Sequence, residues 1–369
     1  MHLKNLSLVN FKNYDNTNIQ FNRKLNCFVG YNGQGKTNLL DAVYYLTFCK
    51  SFLNPVDRQN IQFHKDFFLI QGDFYKNERD FKVYCGVKKN QKKVFKKNKK
   101  EYEKLSDHIG EFPLVTISPS DTNLISEGSD VRRKFLDGIR AQYDKDYLYT
   151  LMQYNRVLLQ RNALLKYFNK ERNFNQDQIN VWDEQLVNLG KIIYQKRTQL
   201  IGELQVVFQK YYNQISGSKE QVTLTYISQL DQQDFESQLK SNIKKDIQRQ
   251  FTTFGIHKDD LDFLIGDMPI KKFGSQGQQK SYLISLKLAQ LEFLKNIVGQ
   301  KPILLLDDVF DKLDELRVKQ LLELVNSNDF GQIFLTDTDL DRIKRILLNI
   351  NMEHTVYNVD NGNVLEIEI

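Results

Sequence analysis

The chain has 369 residues, 41% hydrophobic and 12% aromatic, which excludes wholesale disorder and predicts one or two globular domains. No apolar run approaches the roughly 20 residues of a membrane-spanning helix, and the N-terminus lacks a hydrophobic leader, so a cytosolic protein with no membrane partner is expected. The net charge of +6 is local: residues 88–100, KKNQKKVFKKNKK, hold eight lysines and no acid, while the remainder carries 44 basic against 46 acidic residues.

Residues 3–22, LKNLSLVNFKNYDNTNIQFN, alternate apolar and polar side chains, as strands of a half-exposed sheet do. LNCFV (25–29) is a short strand-type run, and VGYNGQGKTNLLDAVYYL (29–46) follows it. Gly30, Gly35, Lys36 and Thr37 fit the phosphate-loop pattern G-x-x-x-x-G-K-[ST], here set between a strand and a helix. Glycines let such a loop curl so that backbone N–H groups and the helix N-terminus converge on phosphate oxygens. Lys36 is placed to reach the β- and γ-phosphates, and the Thr37 hydroxyl to ligate Mg²⁺. A nucleoside triphosphate site is therefore expected.

Further along, FFLIQGDF (67–74) and FKVYCGVK (81–88) again read as strands. The lysine run closes this β-rich part, with Asn98 suited to a hairpin turn. Two readings of the run stand side by side: a phosphate-binding patch for DNA, or an exposed hairpin kept soluble by charge. Cys27, Cys49 and Cys85 have no metal or disulfide spacing and read as reduced thiols in or near the core. The histidines show no metal-type spacing either.

Then the texture changes, with no proline between Pro119 and Pro269 and no glycine between Gly138 and Gly190. Leu148, Leu151, Leu158 and Leu165 recur at helical spacing, as do Trp182, Leu186, Leu189, Ile193, Leu200, Leu204 and Val207. The pattern predicts a mainly α-helical lobe over 118–297, inserted into an α/β lobe formed by 1–117 and 298–369. In KPILLLDDVFDKLDE (301–315) a buried-strand run ends in two acids, the Walker B arrangement, with Asp307 positioned beside Mg²⁺. QIFLTDTD (332–339) is a similar strand, and both are expected beside the phosphate-loop strand in a parallel sheet.

Ahead of both strands, between the two halves of the chain, lies FGSQGQQKSYLISLKLAQLEF (273–293), a helix with Leu283, Leu286 and Phe293 on its apolar face. Ser275, Gly277 and Gln278 stand at its start and offer a hydroxyl, a flexible backbone and a helix N-terminus. An ordinary capped helix would have the same features. Since the phosphate loop already serves its own nucleotide, the other reading is a helix end that caps the γ-phosphate bound to another subunit.

The order of phosphate loop, helical insert, S-x-G-Q-Q, LLLDD and LD resembles ABC-type P-loop ATPase heads of the SMC class. The stretches GYNGQGKTNLLDAVYYL (30–46), SPSDTNLISEGSDVRRKFLD (118–137), YNRVLLQRNALLK (154–166), WDEQLVNLG (182–190), GIHKDDL (255–261), SQGQQKSYLISLKLAQ (275–290) and LLLDDVFDKLD (304–314) resemble blocks of the RecF family, in that family's order. The resemblance implies a bacterial DNA-repair ATPase with a slow, DNA-stimulated turnover. It implies ATP and Mg²⁺ as cofactors, an ATP-dependent homodimer, double-stranded and single-stranded or gapped DNA as partners, and work with RecR and RecO to load RecA.

It further implies that Gly30, Tyr31, Asn32, Gly33, Gln34, Gly35, Lys36, Thr37 and Asn38 hold the nucleotide, and that Ser275, Gln276, Gly277 and Gln278 are offered in trans. Lys36, Asp307 and Asp308 are the implied catalytic residues, with Asp308 orienting or deprotonating the attacking water. Thr37 and Asp307 are the implied metal ligands, and Asp311–Asp314 resembles the D-loop at the dimer seam. Asp308 stands where most ABC heads carry Glu, and Thr336 is the candidate switch residue. The family's SFRT appears as SFLN (51–54), without the arginine; no glutamine is assigned to the Q-loop. Arg132 and Arg133 are a second candidate DNA pair or a structural one, and His257, Lys258, Asp259 and Asp260 admit a functional or a packing role. A transporter subunit, an SMC-like structural protein and a DNA scaffold with negligible hydrolysis are the rival readings.

Overall fold

The alternation at the N-terminus becomes two antiparallel strands, β1 (His2–Phe11) and β2 (Tyr14–Gln20), in a computed structural model that describes residues 1–217, 220–310, 330–348, 350 and 352–368. β1 pairs on its other side with β4 (Phe67–Lys76), which continues into β5 (Arg79–Lys88), β6 (Val94–Lys97) and β7 (Lys100–Glu101), giving the antiparallel order β2-β1-β4-β5-β6-β7. Alternate residues of β4, Phe68, Ile70 and Phe74, are buried, so the sequence period of two sets one covered face. Asn98 and Lys99 turn β6 into β7 with φ of 50° and 69°, the left-handed pair of a two-residue hairpin, as Asn98 predicted.

A second sheet runs β15-β14-β3-β13-β12-β8. Its strands β3 (Leu25–Val29), β8 (Leu114–Ile117), β12 (Ile303–Leu306), β13 (Ile333–Asp337) and β14 (His354–Asp360) are parallel, and β15 (Asn363–Ile367) closes the edge as an antiparallel hairpin with β14. β3, β12 and β13 are buried at every position, which is why they read as continuous apolar runs. One expectation needs correction: β13 lies beside β3, but β12 is one strand further out, next to β13 and β8. The helix Lys36–Phe48 follows the phosphate loop. Its Leu39, Leu40, Val43 and Leu46 share one core cluster with Leu6, Phe68 and Phe74 of the first sheet and Phe28, Phe334 and Tyr357 of the second. Each such fully buried side chain contributes about 1.5–3 kcal/mol. Cys27, Cys49 and Cys85 are free and buried, as expected.

The chain forms two compact units: 1–121, 211–218 and 280–369 make the first, and 122–210 with 219–279 the second. The expected boundary at 297 thus moves to 279, because Tyr282, Leu286, Leu288 and Leu294 bury their side chains and their stretch of helix belongs to the first unit. Helices Ser129–Arg140 and Lys145–Glu171 of the second unit, with Gln176–Ser216, whose residues 211–216 belong to the first unit, carry out the helical expectation. Asp144 caps the second of these by accepting from the Tyr147 N–H at 2.9 Å.

The buried line on Lys145–Glu171 differs from the leucine stripe. Tyr147, Tyr154, Arg161 and Phe168 are fully buried every seventh residue, with Leu165, whereas Leu148, Leu151 and Leu158 are only partly covered. The unit also contains a three-stranded sheet, β11-β10-β9, built from β9 (Val222–Ile227), β10 (Asp260–Ile265) and β11 (Met268–Pro269). Asp311–Asp314 lies outside the described residues.

Candidate nucleotide-binding site

The loop leaves β3 at Val29 and enters the helix at Lys36, so it sits at the carboxyl ends of the parallel strands, where ligands of open α/β sheets gather. Its glycines are there for distinct reasons. A Cβ on Gly30 would lie 2.2 Å from the Val359 carbonyl oxygen of β14. Gly35 has φ of 115°, and a Cβ there would strike the Asn13 side chain at 2.3 Å.

Asn13, at the β1–β2 turn, is a residue that sequence reasoning missed. Its Nδ2 donates to the Gln34 carbonyl at 2.9 Å, and its Oδ1 accepts from Asn38 Nδ2 at 2.8 Å. The Tyr14 hydroxyl donates to the Gly35 carbonyl at 2.9 Å. From the other side, the Asn361 N–H donates to Gln34 Oε1 at 2.6 Å and the Gly362 N–H to the Gln34 carbonyl at 3.2 Å. The loop is therefore held by two hairpin turns, one from each sheet. Tyr31, Asn32 and Gly33 face solvent, and a groove of about 620 Å³ opens beside Gly30, Tyr31 and Gln34.

Lys36 is buried, and its ammonium donates to the Gly30 and Tyr31 carbonyls at 2.8 and 3.1 Å. The Thr37 hydroxyl donates to Asp307 Oδ1 at 2.9 Å, joining positions 270 residues apart. Thr336, at the end of β13, donates to the same Oδ1 at 2.9 Å and accepts from the Asp308 N–H at 2.9 Å. Burial pushes the Asp307 carboxyl up, against the two hydroxyl donors that favour its charged form. Asp308 has φ of 46°, a left-handed conformation that side chains other than glycine rarely adopt. Asp337, also missed, is buried beside them and pushed up by burial, and it pairs with Arg342 at 3.3 Å.

Thr37 and Asp307 present adjacent hard oxygen donors, a set that suits Mg²⁺ completed by water and phosphate oxygens. Among the described residues no group of three or more His, Cys, Asp or Glu is placed to hold a metal ion.

In the second unit, Ser275 and Gln278 form a reciprocal capping box. Ser275 Oγ accepts from the Gln278 N–H at 3.2 Å, and Gln278 Oε1 accepts from the Ser275 N–H at 2.8 Å. Ser275 and Gln276 are solvent-facing. Arg132 makes a two-pronged pair with Asp260, at 2.6 and 2.9 Å, and Arg133 donates to the Asp259 carbonyl at 2.6 Å. Both arginines are thus pinned within the fold. His257 is half-buried between Tyr154 and the Thr252 carbonyl, a packing arrangement.

The lysine run is divided. Lys93 pairs with Asp57 at 2.8 Å and Lys97 with Glu111 at 2.6 Å, leaving exposed Lys88, Lys89 and Lys92 at one end of β6 and Lys99 and Lys100 at the other.

A phosphate loop at the head of a parallel sheet, with a strand-end acid hydrogen-bonded to its threonine, defines a P-loop ATPase head, and a model described as an AAA domain matches residues 5–350. The protein called DNA replication and repair protein RecF in Flavobacterium johnsoniae is 50% identical over 359 residues, covering 97% of this chain and 100% of that protein. Its namesake in Phocaeicola vulgatus is 50% identical over 369 residues, covering 99% and 98%. A solved structure of the recombination mediator protein RecF with ATP, in the RecFOR pathway, superposes with a TM-score of 0.89 at 30% identity, covering 100% of this chain and 98% of that one. The Smc head of Pyrococcus furiosus, at 15% identity and a TM-score of 0.58, shares the fold. The chain belongs to the RecF family of DNA replication and repair proteins.

Proposed function

We propose that the protein is an ATP-dependent DNA-binding recombination and repair protein of the cytosol, closed into a dimer by ATP and opened by slow, DNA-stimulated hydrolysis. The observation that carries the reading is the bond between Thr37 and Asp307, which brings the loop and the strand-end acid to one point. Lys36 exchanges the Gly30 and Tyr31 carbonyls for β- and γ-phosphate oxygens when the nucleotide enters. Thr37 and Asp307 hold Mg²⁺, which when bound neutralises charge on the phosphates. Asp308 orients the attacking water, and Thr336 fixes the backbone at Asp308.

Ser275–Gln278 of a second subunit meets the γ-phosphate in trans. The solvent-facing position of Ser275 and its preformed cap support this role. A ligand shifts an equilibrium only by its differential affinity for the two states, and ADP lacks the group that bridges the subunits. Each charge-assisted hydrogen bond contributes roughly 1.5–3 kcal/mol, so a few across two sites change dimerisation by several orders of magnitude.

Contact to DNA is largely to phosphates, since a repair protein must accept any sequence. Double-stranded and gapped DNA are the substrates, and cooperation with RecR and RecO in loading RecA accords with the pathway named for the solved relative. The test is ATP hydrolysis with and without duplex DNA, for the wild type and Lys36→Ala. Hydrolysis raised by DNA and lost in the variant supports the enzyme. ATP-dependent DNA binding without turnover would reduce the protein to a scaffold.

A further inference from the structure

The first unit carries an aromatic side chain held almost wholly in solvent, its ring edge-to-face with the neighbouring His64 at 4.5 Å between centroids. Phe63 is 84% exposed and sits at the apex of a turn, Gln62–Lys65, closed by the Lys65 N–H donating to the Gln62 carbonyl at 3.1 Å. His64 beside it has φ of 64°, the left-handed conformation a turn usually gives to Gly or Asn. The turn is nonetheless fixed. The Gln62 N–H donates to the Asn10 carbonyl at 2.8 Å, the Lys12 N–H to the Asn60 carbonyl at 2.9 Å, and Ile61 bridges to Phe11. The backbone is thus anchored on β1 while an apolar ring is held out into water.

Its surroundings are basic. Lys65 follows in the turn; Phe67, 38% exposed, pairs with Lys88, and the Lys89 N–H donates to the Asp66 carbonyl at 2.9 Å. Lys65 and Lys89 pair with exposed acids, Asp15 and Asp66, in pairs that contribute little in water. Exposed rings set among lysines are the arrangement with which proteins hold unpaired nucleotides, through base stacking and phosphate contacts.

We propose that Phe63, with Phe67 and the Lys65, Lys88 and Lys89 ammoniums, forms a binding site for single-stranded DNA, which reads the unpaired bases of a gap by stacking on the Phe63 ring. The lysine run then contributes to DNA through its Lys88–Lys89 end. The site rests on the DNA-binding reading above and specifies which part of the substrate this face takes. It is also tied to the nucleotide loop, because Asn13, next to the Lys12 that anchors the turn, holds Gln34 and Asn38.

The experiment is fluorescence anisotropy of the full chain, with a nonhydrolysable ATP analogue, on a gapped duplex and on a blunt duplex of the same sequence. A second probe is 2-aminopurine placed in the gap. Phe63→Ala should weaken gapped-DNA binding about tenfold, abolish the 2-aminopurine quench and leave blunt-duplex binding within about twofold. Phe63→Trp should retain the quench. Lys88→Ala combined with Lys89→Ala should weaken both duplexes and flatten the salt dependence of log K by roughly 1.5–2. Since Phe63 is exposed, its variants should melt with the wild type. Gapped-DNA binding and quench unchanged in Phe63→Ala overturn the proposal and leave the ring to a protein partner. A wild type that binds neither DNA would instead refute the DNA-binding reading, and this site with it.

Discussion

The Thr37 hydroxyl donates to Asp307 Oδ1 at 2.9 Å, and Thr336 donates to the same oxygen from the opposite strand. Two hydroxyls therefore fix one carboxylate oxygen where the Mg²⁺ of a bound triphosphate is expected. Asp307→Asn keeps the shape and removes the charge. ATP hydrolysis should fall at least about a hundredfold, because several kcal/mol of charge stabilisation depends on the metal. Nucleotide binding, followed with a fluorescent ATP analogue, should survive but lose its Mg²⁺ dependence. Full hydrolysis in the variant would remove Asp307 from the site.

The capping box gives Ser275 two separable roles. Ser275→Ala loses the bond from the Gln278 N–H and should lower stability by about 1 kcal/mol, read from denaturant midpoints. Ser275→Arg places a bulky cation at the helix tip. It should leave ATP binding intact while preventing ATP-dependent dimerisation. A Ser275→Arg protein that still dimerised would refute the trans contact.

Arg161 is fully buried, with Nε donating to Asp183 at 2.5 Å and Nη1 to Asp246 at 2.7 Å. Arg161→Met would strand two carboxylates in the interior of the second unit. Unfolding by urea should show a loss of about 3–5 kcal/mol. A loss below about 1 kcal/mol would mean that solvent reaches this cluster.

His257 should make stability depend on pH. The Thr252 carbonyl can only accept, so Nε2 carries the proton and Nδ1 accepts from the Tyr154 hydroxyl. Burial lowers the imidazole to about 4, and the Lys258, Arg133 and Arg161 charges act in the same direction. The unfolded chain protonates near 6.5, so the contribution is complete above that pH and is lost as pH falls towards 4. Between pH 7.5 and 4.5 the wild type should lose roughly 2–3 kcal/mol more than His257→Gln. Equal losses in the two proteins would contradict an imidazole held neutral in the fold.

Much of the site was legible because its chemistry is local. Gly30 to Thr37 is a contiguous loop, and Leu304–Asp308 is a buried strand with acids at its end; both patterns survive without knowledge of the fold. Asn13 and Asp337 were harder to see. Asn13 reaches Gln34 only because β1 and β2 turn back onto the loop, a contact between residues 21 apart. The β9–β10 pairing was hidden for another reason: VTLTYI and DLDFLI alternate over only about four residues each, and long helices on either side dominate the texture. On Lys145–Glu171 the buried line runs through tyrosines and a paired arginine, residue types that a hydrophobic stripe does not count. The hairpin in the lysines at 88–100 was legible from Asn98, but sequence does not show that Asp57 and Glu111 pair with Lys93 and Lys97 and so divide the run.

The central claim is that an intact triphosphate joins two copies of this chain. Sedimentation analysis of the wild type with a nonhydrolysable ATP analogue, with ADP and with no nucleotide tests it most directly. The account predicts a dimer in the first case and a monomer in the other two. One mass in all three conditions would contradict it.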